Sequence, residues 1–381
     1  MDETSPERGF SLARQPSDPA VAGGGMLGGE QLAEWESRFS PLLKYLRKRK
    51  VVLVLSGGGM AMPCHVSVLR VLQILDIPIA AVYGTSAGAV IGGLFAAGIG
   101  VSDLERIMLG IKSSDELFGF ASRHPAMRLA AGQVVRTFAP PSLDRSGIYG
   151  FGRVEEYLRG LFSKYLGKVP TMSDLKMPFS CVALDIGSGD PGASDQQRVA
   201  KTVFSAKNSP GVSLADAIAA SMAIPGTLPP KKIGDRYHID GATVEHLPIV
   251  TAFDDWGCRA WWRRRRTAAI AVDLGYGGHP PAKESLRFPM DVVMYSSSIQ
   301  GRAITDYSLL HCHRPITGFS VVLVRPRTFS IGLCDTEKIP AIMESAYYQT
   351  VEQLSGPDFL GRTTEHIRSA GMFLGIRGLH R

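Results

Sequence analysis

The segment Gly84-Thr85-Ser86-Ala87-Gly88 constrains the fold of this chain more than any other, because it is a G-x-S-x-G motif. The apolar residues 79–83 before it predict a buried strand. The apolar, proline-free residues 87–97 after it predict a buried helix that ends at Gly98. A sharp turn between the two, which the motif's glycines make possible, holds a serine hydroxyl clear of the backbone at a helix N-terminus. The segment therefore predicts that Ser86 is a nucleophile.

Composition limits the class of protein. The 381 residues are 45% hydrophobic and 20% charged, which is typical of a globular chain with a sizeable core. The net charge of +7 allows attraction to anionic surfaces without calling for nucleic acid. The five scattered cysteines form no C-x-x-C pair, which disfavours a disulfide framework or a cysteine zinc site. The acidic N-terminus lacks the pattern of a secretory signal, so we expect a cytoplasmic protein.

Periodicity divides the chain into three predicted regions. Residues 1–48 form a flexible N-terminal extension, with a short helix over 31–46 that Pro41 kinks or splits. Residues 49–283 form the core, in which short apolar runs alternate with helical patterns, and residues 284–381 form a mostly helical part packed on it. This alternation predicts an α/β fold with a mainly parallel central sheet flanked by helices.

The most apolar stretch of the chain has two interpretations. Residues 77–101 are apolar enough to resemble a membrane span. Glycines and polar residues interrupt the stretch, among them Thr85 and Ser86. We therefore interpret it as a strand followed by a helix.

A triple glycine, Gly57-Gly58-Gly59, follows the first predicted strand and precedes a helix. The backbone N–H groups of such a turn can point into one concavity and stabilise an oxyanion there. Because turns after neighbouring parallel strands lie at one edge of a sheet, we expect this turn and Ser86 to face the same cavity. A plain structural turn is one alternative. A phosphate cradle is another, disfavoured because Met60-Ala61-Met62-Pro63 replaces the Gly-Lys-Ser/Thr ending of that motif.

A serine hydroxyl needs a base before it can act as a nucleophile. Asp240-Gly241-Ala242 ends a predicted strand at a glycine turn, which directs the Asp240 carboxylate to the same edge of the sheet. The alternative is an aspartate that only forms a turn. The nine histidines are spread over the chain, and we interpret His65, His238 and His246 as ordinary capping or surface residues.

Several blocks, in one order within residues 51–275, make the chain resemble the patatin-like phospholipases. They are Gly57-Gly58-Gly59 with His65 and Val68-Leu69, Gly84-Thr85-Ser86-Ala87-Gly88, Ala220-Ser221-Met222-Ala223-Ile224-Pro225-Gly226, Asp240-Gly241-Ala242 and Ala271-Val272-Asp273-Leu274. The resemblance implies a three-layer sandwich with a serine–aspartate dyad and no catalytic histidine. The implied site residues are Ser86 as nucleophile, Asp240 as base, Gly57, Gly58 and Gly59 at the oxyanion hole, Gly84 and Gly88 in the elbow, and Gly241 and Ala242 beside the base.

The resemblance also implies an activity. Its members usually hydrolyse an ester bond of a lipid through an acyl-enzyme, so we expect a phospholipid or another acyl-ester lipid as substrate. Neither a metal nor a dissociable cofactor is expected. The same dyad also serves a transacylase or a thioesterase, and the sequence leaves these alternatives open.

One departure from the family pattern lies beside the predicted oxyanion site. Members usually carry a small residue, then Arg or Lys, then Gly after the triple glycine, where this chain has Met60, Ala61 and Met62. The change removes a charge and some backbone freedom, and loss of one oxyanion donor can raise the barrier by about 2.7–4 kcal/mol. A catalytically weak lipid-binding or membrane-docking protein that keeps the fold is therefore a further alternative.

Two more clusters have competing interpretations. Trp256, Trp261 and Trp262 precede four arginines at 263–266. They form either a packed helix with a solvated basic end or a peripheral contact with anionic membrane lipid. His311 and His313, with Cys312 between them, are residue types that can bind a metal. No further ligand is evident, so no metal site is predicted.

Overall fold

The computed structural model describes residues 29–112, 152–188, 199–257, 266–275, 289–313, 318–326 and 336–373. The strands in these ranges are β1 (Lys50–Leu55), β2 (Ile79–Thr85), β3 (Phe179–Asp185), β4 (Ala200–Ser205), β5 (Lys231–Ile233), β6 (Arg236–Asp240), β7 (Thr267–Val272) and β8 (Phe319–Val324). The helices are α1 (Gly29–Leu46), α2 (Pro63–Ile74), α3 (Ala87–Ala96), α4 (Val101–Gly110), α5 (Gly152–Leu166), α6 (Leu214–Ser221), α7 (Ala242–Glu245), α8 (Ile249–Trp256), α9 (Pro289–Cys312), α10 (Ile339–Leu354) and α11 (Phe359–Phe373).

The described strands form one eight-stranded sheet. Its centre is parallel: β1 pairs with β2 and β7, β2 pairs with β3, and β7 pairs with β8. The other end is antiparallel, where β3 pairs with β4 and with β6 of the β5–β6 hairpin. The predicted α/β fold with a parallel central sheet flanked by helices is confirmed.

Both faces of the sheet are buried, which gives the three layers that the sequence predicted. Val51, Leu53 and Leu55 of β1 point into the larger core, together with side chains of α2, α3, α6 and α10. Val52 and Val54 point to the opposite face and meet side chains of α8 and α9. Coverage on both sides explains why the central strands are continuously apolar instead of alternating with polar residues.

β2 and β6 lie end to end along one edge of β3. β2 pairs with residues 179–182 of β3 and β6 with residues 183–185, while β4 occupies the opposite edge along both stretches. β2 ends at Thr85, and β6 arrives from the other direction to end at Asp240, one β3 position further along. Asp240 does end a strand at this edge. The expectation that this strand would run parallel to its neighbours was wrong, because β6 is antiparallel to β3.

The outer regions differ in part from the expectation. α1 is one helix that runs through Pro41, so of the two predicted effects of this proline, a kink or a split, the split does not occur. Phe39 and Leu42, on either side of the proline, are fully buried, and their packing compensates for the lost backbone hydrogen bond. Residues 1–28 of the predicted flexible extension lie outside the described residues. The predicted C-terminal region contributes helices and also β8, a strand of the same sheet.

None of the helices in the described ranges has both the length and the apolar character needed to cross a bilayer. Residues 77–101, which resemble a span in sequence, hold β2, α3 and the turn that contains Ser86.

Candidate active site

Ser86 occupies a sharp turn between β2 and α3, where its backbone is left-handed with φ 53°. A non-glycine residue in such a conformation stores roughly 1–3 kcal/mol of strain and needs its surroundings to hold it there. The glycines of the motif allow the required close contacts. A Cβ at Gly84 would collide with the carbonyl of Gly88, and a Cβ at Gly88 would collide with the carbonyl of Leu55.

The Ser86 hydroxyl donates a hydrogen bond to the Asp240 carboxylate, with 2.7 Å between Oγ and Oδ2. The other carboxylate oxygen, Oδ1, accepts from the backbone N–H of Ala242 at 2.7 Å. Both side chains are buried, with 5% of Ser86 and 4% of Asp240 exposed. This arrangement holds the carboxylate in one orientation with a single oxygen facing the hydroxyl, as transfer of the serine proton requires.

Burial raises the pKa of Asp240 from its ordinary value of 3.8 to about 6, while the hydrogen bonds from Ala242 and Ser86 limit the rise. At neutral pH the side chain is still mostly a carboxylate, so it can accept a proton. The raised pKa also makes it a stronger base than an ordinary aspartate, closer to the pH at which acid–base catalysis is most efficient.

No histidine within the described residues contacts the Ser86 hydroxyl or the Asp240 carboxylate. His65, His238 and His246 are all buried, so their interpretation as surface residues is wrong. Burial lowers the pKa of His65 to about 4 and lowers the pKa of the other two as well. The His65 ring contacts the Ser56 carbonyl, 2.9 Å from Nε2, and so supports the start of the glycine turn.

The glycine turn lies against the segment that carries the base. A Cβ at Gly57 would come within 3.6 Å of the Ala242 Cβ and 3.3 Å of His246 Nε2. The N–H of Gly57 donates to the His246 carbonyl at 2.9 Å, so this N–H already has an acceptor within the protein. Among the described residues, the N–H groups of Gly58 and Gly59 have no acceptor.

Met60, Ala61 and Met62 are buried and pack in the larger core. They form the short 3₁₀ turn from Gly59 to Ala61 and the residue before α2. Where the family pattern has a basic residue, this chain has a side chain packed in the core. The N–H groups of Gly58 and Gly59 that have no acceptor come before this position in the chain.

Sequence reasoning gave no role to Ser56 or Ser221, although both brace the site. Ser56 Oγ donates to the Gly57 carbonyl at 2.7 Å and accepts from the Leu274 N–H at 2.8 Å. Ser221 Oγ accepts from the Ser86 N–H at 3.0 Å. The only sequence signal for Ser221 is its place in the block at residues 220–226.

Asp273 follows β7 and carries a buried charge close to the site. Its carboxylate accepts from Arg325 Nε at 2.7 Å and from the Gly275 N–H at 2.9 Å, and its Oδ1 lies 3.9 Å from His246 Nδ1. Burial alone would raise the pKa of Asp273, but Arg325, His246 and the hydrogen bonds together hold it below its ordinary value. The Asp273–Arg325 ion pair thus joins the residues that follow β7 and β8, next to the segment that holds Ser56.

The remaining candidate clusters do not enter the site. Trp256 Nε1 donates to the Tyr83 hydroxyl at 2.8 Å, which agrees with the interpretation of this tryptophan as part of a packed helix. Residues 261–265 lie outside the described residues, so their contact with anionic lipid stays a prediction. His313 Nδ1 accepts from the Val321 N–H at 3.3 Å, and Cys312 is buried. The described residues contain no group of three or more side chains suited to a metal ion.

Comparison with known proteins finds a family model and several relatives that match this chain. The model of the family described as Patatin-like phospholipase matches residues 53–253. An uncharacterized NTE family protein of Mycobacterium tuberculosis is 28% identical over 200 residues, which are 52% of this chain and 44% of that protein. Lysophospholipase NTE1 of Mycosarcoma maydis is 26% identical over 239 residues, 63% of this chain and 10% of that protein.

The match with the mycobacterial relative therefore spans less than half of that protein's length. Among solved structures, VipD from Legionella pneumophila is 15% identical with a TM-score of 0.41, over 81% of this chain and 67% of that one.

Proposed function

The chain belongs to the patatin-like phospholipase family, and on that premise we propose that it is a serine lipid acyl hydrolase of the phospholipase A or lysophospholipase type. Ser86 is the nucleophile and Asp240 is the base. The observation that carries the proposal is the 2.7 Å hydrogen bond between the Ser86 hydroxyl and the Asp240 carboxylate. The lysophospholipase among its relatives supports a lipid ester as the substrate.

In the first half of the reaction, Asp240 takes the proton of the Ser86 hydroxyl as Oγ attacks the carbonyl carbon of the ester. The N–H groups of Gly58 and Gly59 stabilise the negative oxygen of the tetrahedral intermediate. The ester C–O bond then breaks. The leaving alcohol takes the proton from Asp240, and the acyl group stays on Ser86.

In the second half, a water molecule gives a proton to Asp240 and attacks the acyl carbonyl. When the second intermediate collapses, the fatty acid leaves and the proton returns to Ser86 Oγ. One carboxyl group thus serves as base and acid in turn, and its pKa of about 6 suits both roles.

Labelling with a fluorophosphonate probe tests the dyad. We expect the wild type to be labelled, Ser86→Ala to be unlabelled, and Asp240→Asn to react more slowly by a factor on the order of 10²–10⁴. Hydrolysis is measured in parallel by mass spectrometry of fatty acid released from mixed phospholipids and lysophospholipids. A folded wild type that neither reacts with the probe nor releases fatty acid would instead be a lipid-binding protein.

The acceptor of the acyl group separates the hydrolase from its nearest alternatives. A transacylase would transfer the acyl group from Ser86 to an added alcohol, such as a monoacylglycerol, and little free fatty acid would form. A thioesterase would prefer an acyl thioester over the matched oxygen ester. We expect free fatty acid from an oxygen ester as the main product in both comparisons.

A further inference from the structure

Ser221 is fully buried at the end of α6 and connects two parts of the site. Its hydroxyl donates to the Val182 carbonyl of β3 at 2.6 Å and accepts from the Ser86 N–H at 3.0 Å. A hydroxyl has one proton to donate and lone pairs to accept, so one side chain makes both bonds. Ser221 thereby joins the backbone of the nucleophile to the strand that positions the base.

The backbone around Ser221 holds the base as well. The Asp240 N–H donates to the Ala223 carbonyl at 2.9 Å, and the Gly241 N–H donates to the Ser221 carbonyl at 3.3 Å. Gly241 also packs so closely on the Val182 carbonyl that a Cβ would collide with it. The nucleophile and the base are therefore both anchored to the same short segment.

The bond from the Ser86 N–H has a specific physical role. Ser86 immediately precedes α3, and the first N–H groups of a helix have no acceptor within the helix. Its left-handed backbone also needs an outside contact to stay in place. The Ser221 hydroxyl provides that contact from a rigid, buried position.

We propose that Ser221 is a positioning residue, whose hydroxyl holds the Ser86 backbone in the conformation that directs Oγ at the Asp240 carboxylate. The inference rests on the proposed function, because it assigns a support to the Ser86–Asp240 dyad. Ser221 itself does not touch the reacting atoms.

The test compares Ser221→Ala with Ser67→Ala. Ser67 is also buried, and its hydroxyl donates to the Met343 carbonyl at 2.8 Å, away from the dyad. Probe labelling, kcat and KM for a soluble ester are measured together with thermal unfolding. We expect Ser221→Ala to lower kcat and the labelling rate by on the order of tenfold to a hundredfold with KM little changed. Ser67→Ala should lose stability but keep kcat.

The pH profile adds a measurement that a purely structural role would not move. The bond from Ser86 lowers the pKa of Asp240, so a hydroxyl that no longer points at the carboxylate should shift the acid limb of kcat/KM to higher pH. Ser221→Cys keeps the size of the side chain but weakens both hydrogen bonds, and it replaces the alanine variant if that protein does not fold.

Each outcome decides the proposal. A folded variant without the Ser221 hydroxyl that keeps wild-type kcat and the wild-type acid limb overturns the positioning role and leaves the proposed function standing. An equal loss of kcat in Ser67→Ala also overturns it, because the effect would then be a general consequence of losing a buried hydroxyl. A wild type without Ser86-dependent labelling overturns both.

Discussion

Asp240 combines a catalytic position with an unfavourable environment for its charge. Its pKa rises from 3.8 to about 6 because the carboxylate is buried, and the hydrogen bonds from the Ala242 N–H and the Ser86 hydroxyl limit that rise. A raised pKa means that the folded state favours the protonated form. Ionised Asp240 therefore lowers the free energy of unfolding above pH 6, and that loss disappears as the pH falls toward 4.

The same titration should control activity. Because only the carboxylate can accept the serine proton, kcat/KM should rise with pH and level off above about 6. Below that value it should fall by about tenfold per pH unit. A pH–rate profile with a soluble ester, in buffers where the protein stays folded, measures the limb. An acid limb near 4 would contradict the raised pKa.

Replacing the Asp240 carboxylate by a neutral amide should lower the activity and raise the stability of the protein. Asp240→Asn has nearly the same shape but no charge, so we expect it to raise the free energy of unfolding by about 2–3 kcal/mol near pH 8 while lowering activity by a factor on the order of 10²–10⁴. The gain should shrink to well under about 1 kcal/mol at pH 4, where Asp240 is protonated in the folded state and partly protonated in the unfolded state. Urea unfolding at both pH values measures this difference, and a gain that persists at pH 4 would argue for another cause.

At the scale of elements, α3 packs directly on β1 through glycine. Gly88 lies in the first turn of α3, where a Cβ would collide with the Leu55 carbonyl at the end of β1. Any side chain there has to push the helix away from the strand. Since Ser86 immediately precedes this helix, the fit between helix and strand sets the position of the hydroxyl.

Gly88→Ala should therefore lower the free energy of unfolding by at least about 2 kcal/mol and reduce probe labelling of Ser86. Gly160→Ala is the matched control, because Gly160 lies within α5 and a Cβ there meets nothing within 4 Å. It should raise stability by about 0.5–1 kcal/mol through helix propensity. Thermal unfolding of the two variants compares them, and a tolerated Gly88→Ala would disprove the close contact.

At the scale of the whole molecule, a buried ion pair joins the C-terminal part of the chain to the rest. Arg325 follows β8 and contacts Asp273 after β7, and its guanidinium also lies 3.4 Å from Asp306 of α9. His366 of α11 completes the cluster, 2.8 Å from the same Asp306 oxygen. The side chains of both aspartates are 2% exposed, so their charges depend on these partners.

Arg325→Leu should lower the free energy of unfolding by about 3–5 kcal/mol near pH 7, because it leaves buried carboxylates without their main cation. The pairing holds the pKa of Asp273 below its ordinary value, so its contribution is present at neutral pH and is lost as the pH falls through that lowered pKa. The gap in the free energy of unfolding between variant and wild type should therefore narrow as the pH falls below about 3.8.

Arg106→Leu is the control for that experiment. Arg106 pairs with Asp103 on the surface, where its side chain is 71% exposed, so its removal should change stability by less than about 1 kcal/mol. Unfolding curves at several pH values measure both variants. Equal effects of the two substitutions would contradict a special role for the buried pair.

Sequence reasoning succeeded where the signal is local. The apolar residues 79–83 and 87–97 predicted a buried strand followed by a buried helix, and these elements are β2 and α3. β4 was not predicted, because it lies outside the parallel centre and its first two residues, Ala200 and Lys201, are exposed. Local turn chemistry, supported by the family resemblance, identified the motifs that carry Ser86 and Asp240.

What sequence reasoning missed depends on contacts between distant parts of the chain. Ser221 reaches Ser86 across 135 positions, and Arg325 reaches Asp273 across 52. Neither residue type is unusual in its own segment. Nothing in the sequence indicates that the N–H of Gly57, in the predicted oxyanion segment, donates to the His246 carbonyl.

Because β2 and β6 lie end to end along β3, the Ser86–Asp240 dyad forms only after both strands have paired with β3. Ser86 and Asp240 are 154 positions apart, and neither reaches the other until both strands have paired with the same third strand. A chain still emerging from the ribosome or only partly assembled therefore carries an ordinary, unreactive serine. Completion of the sheet is therefore the step that gives the Ser86 hydroxyl its base.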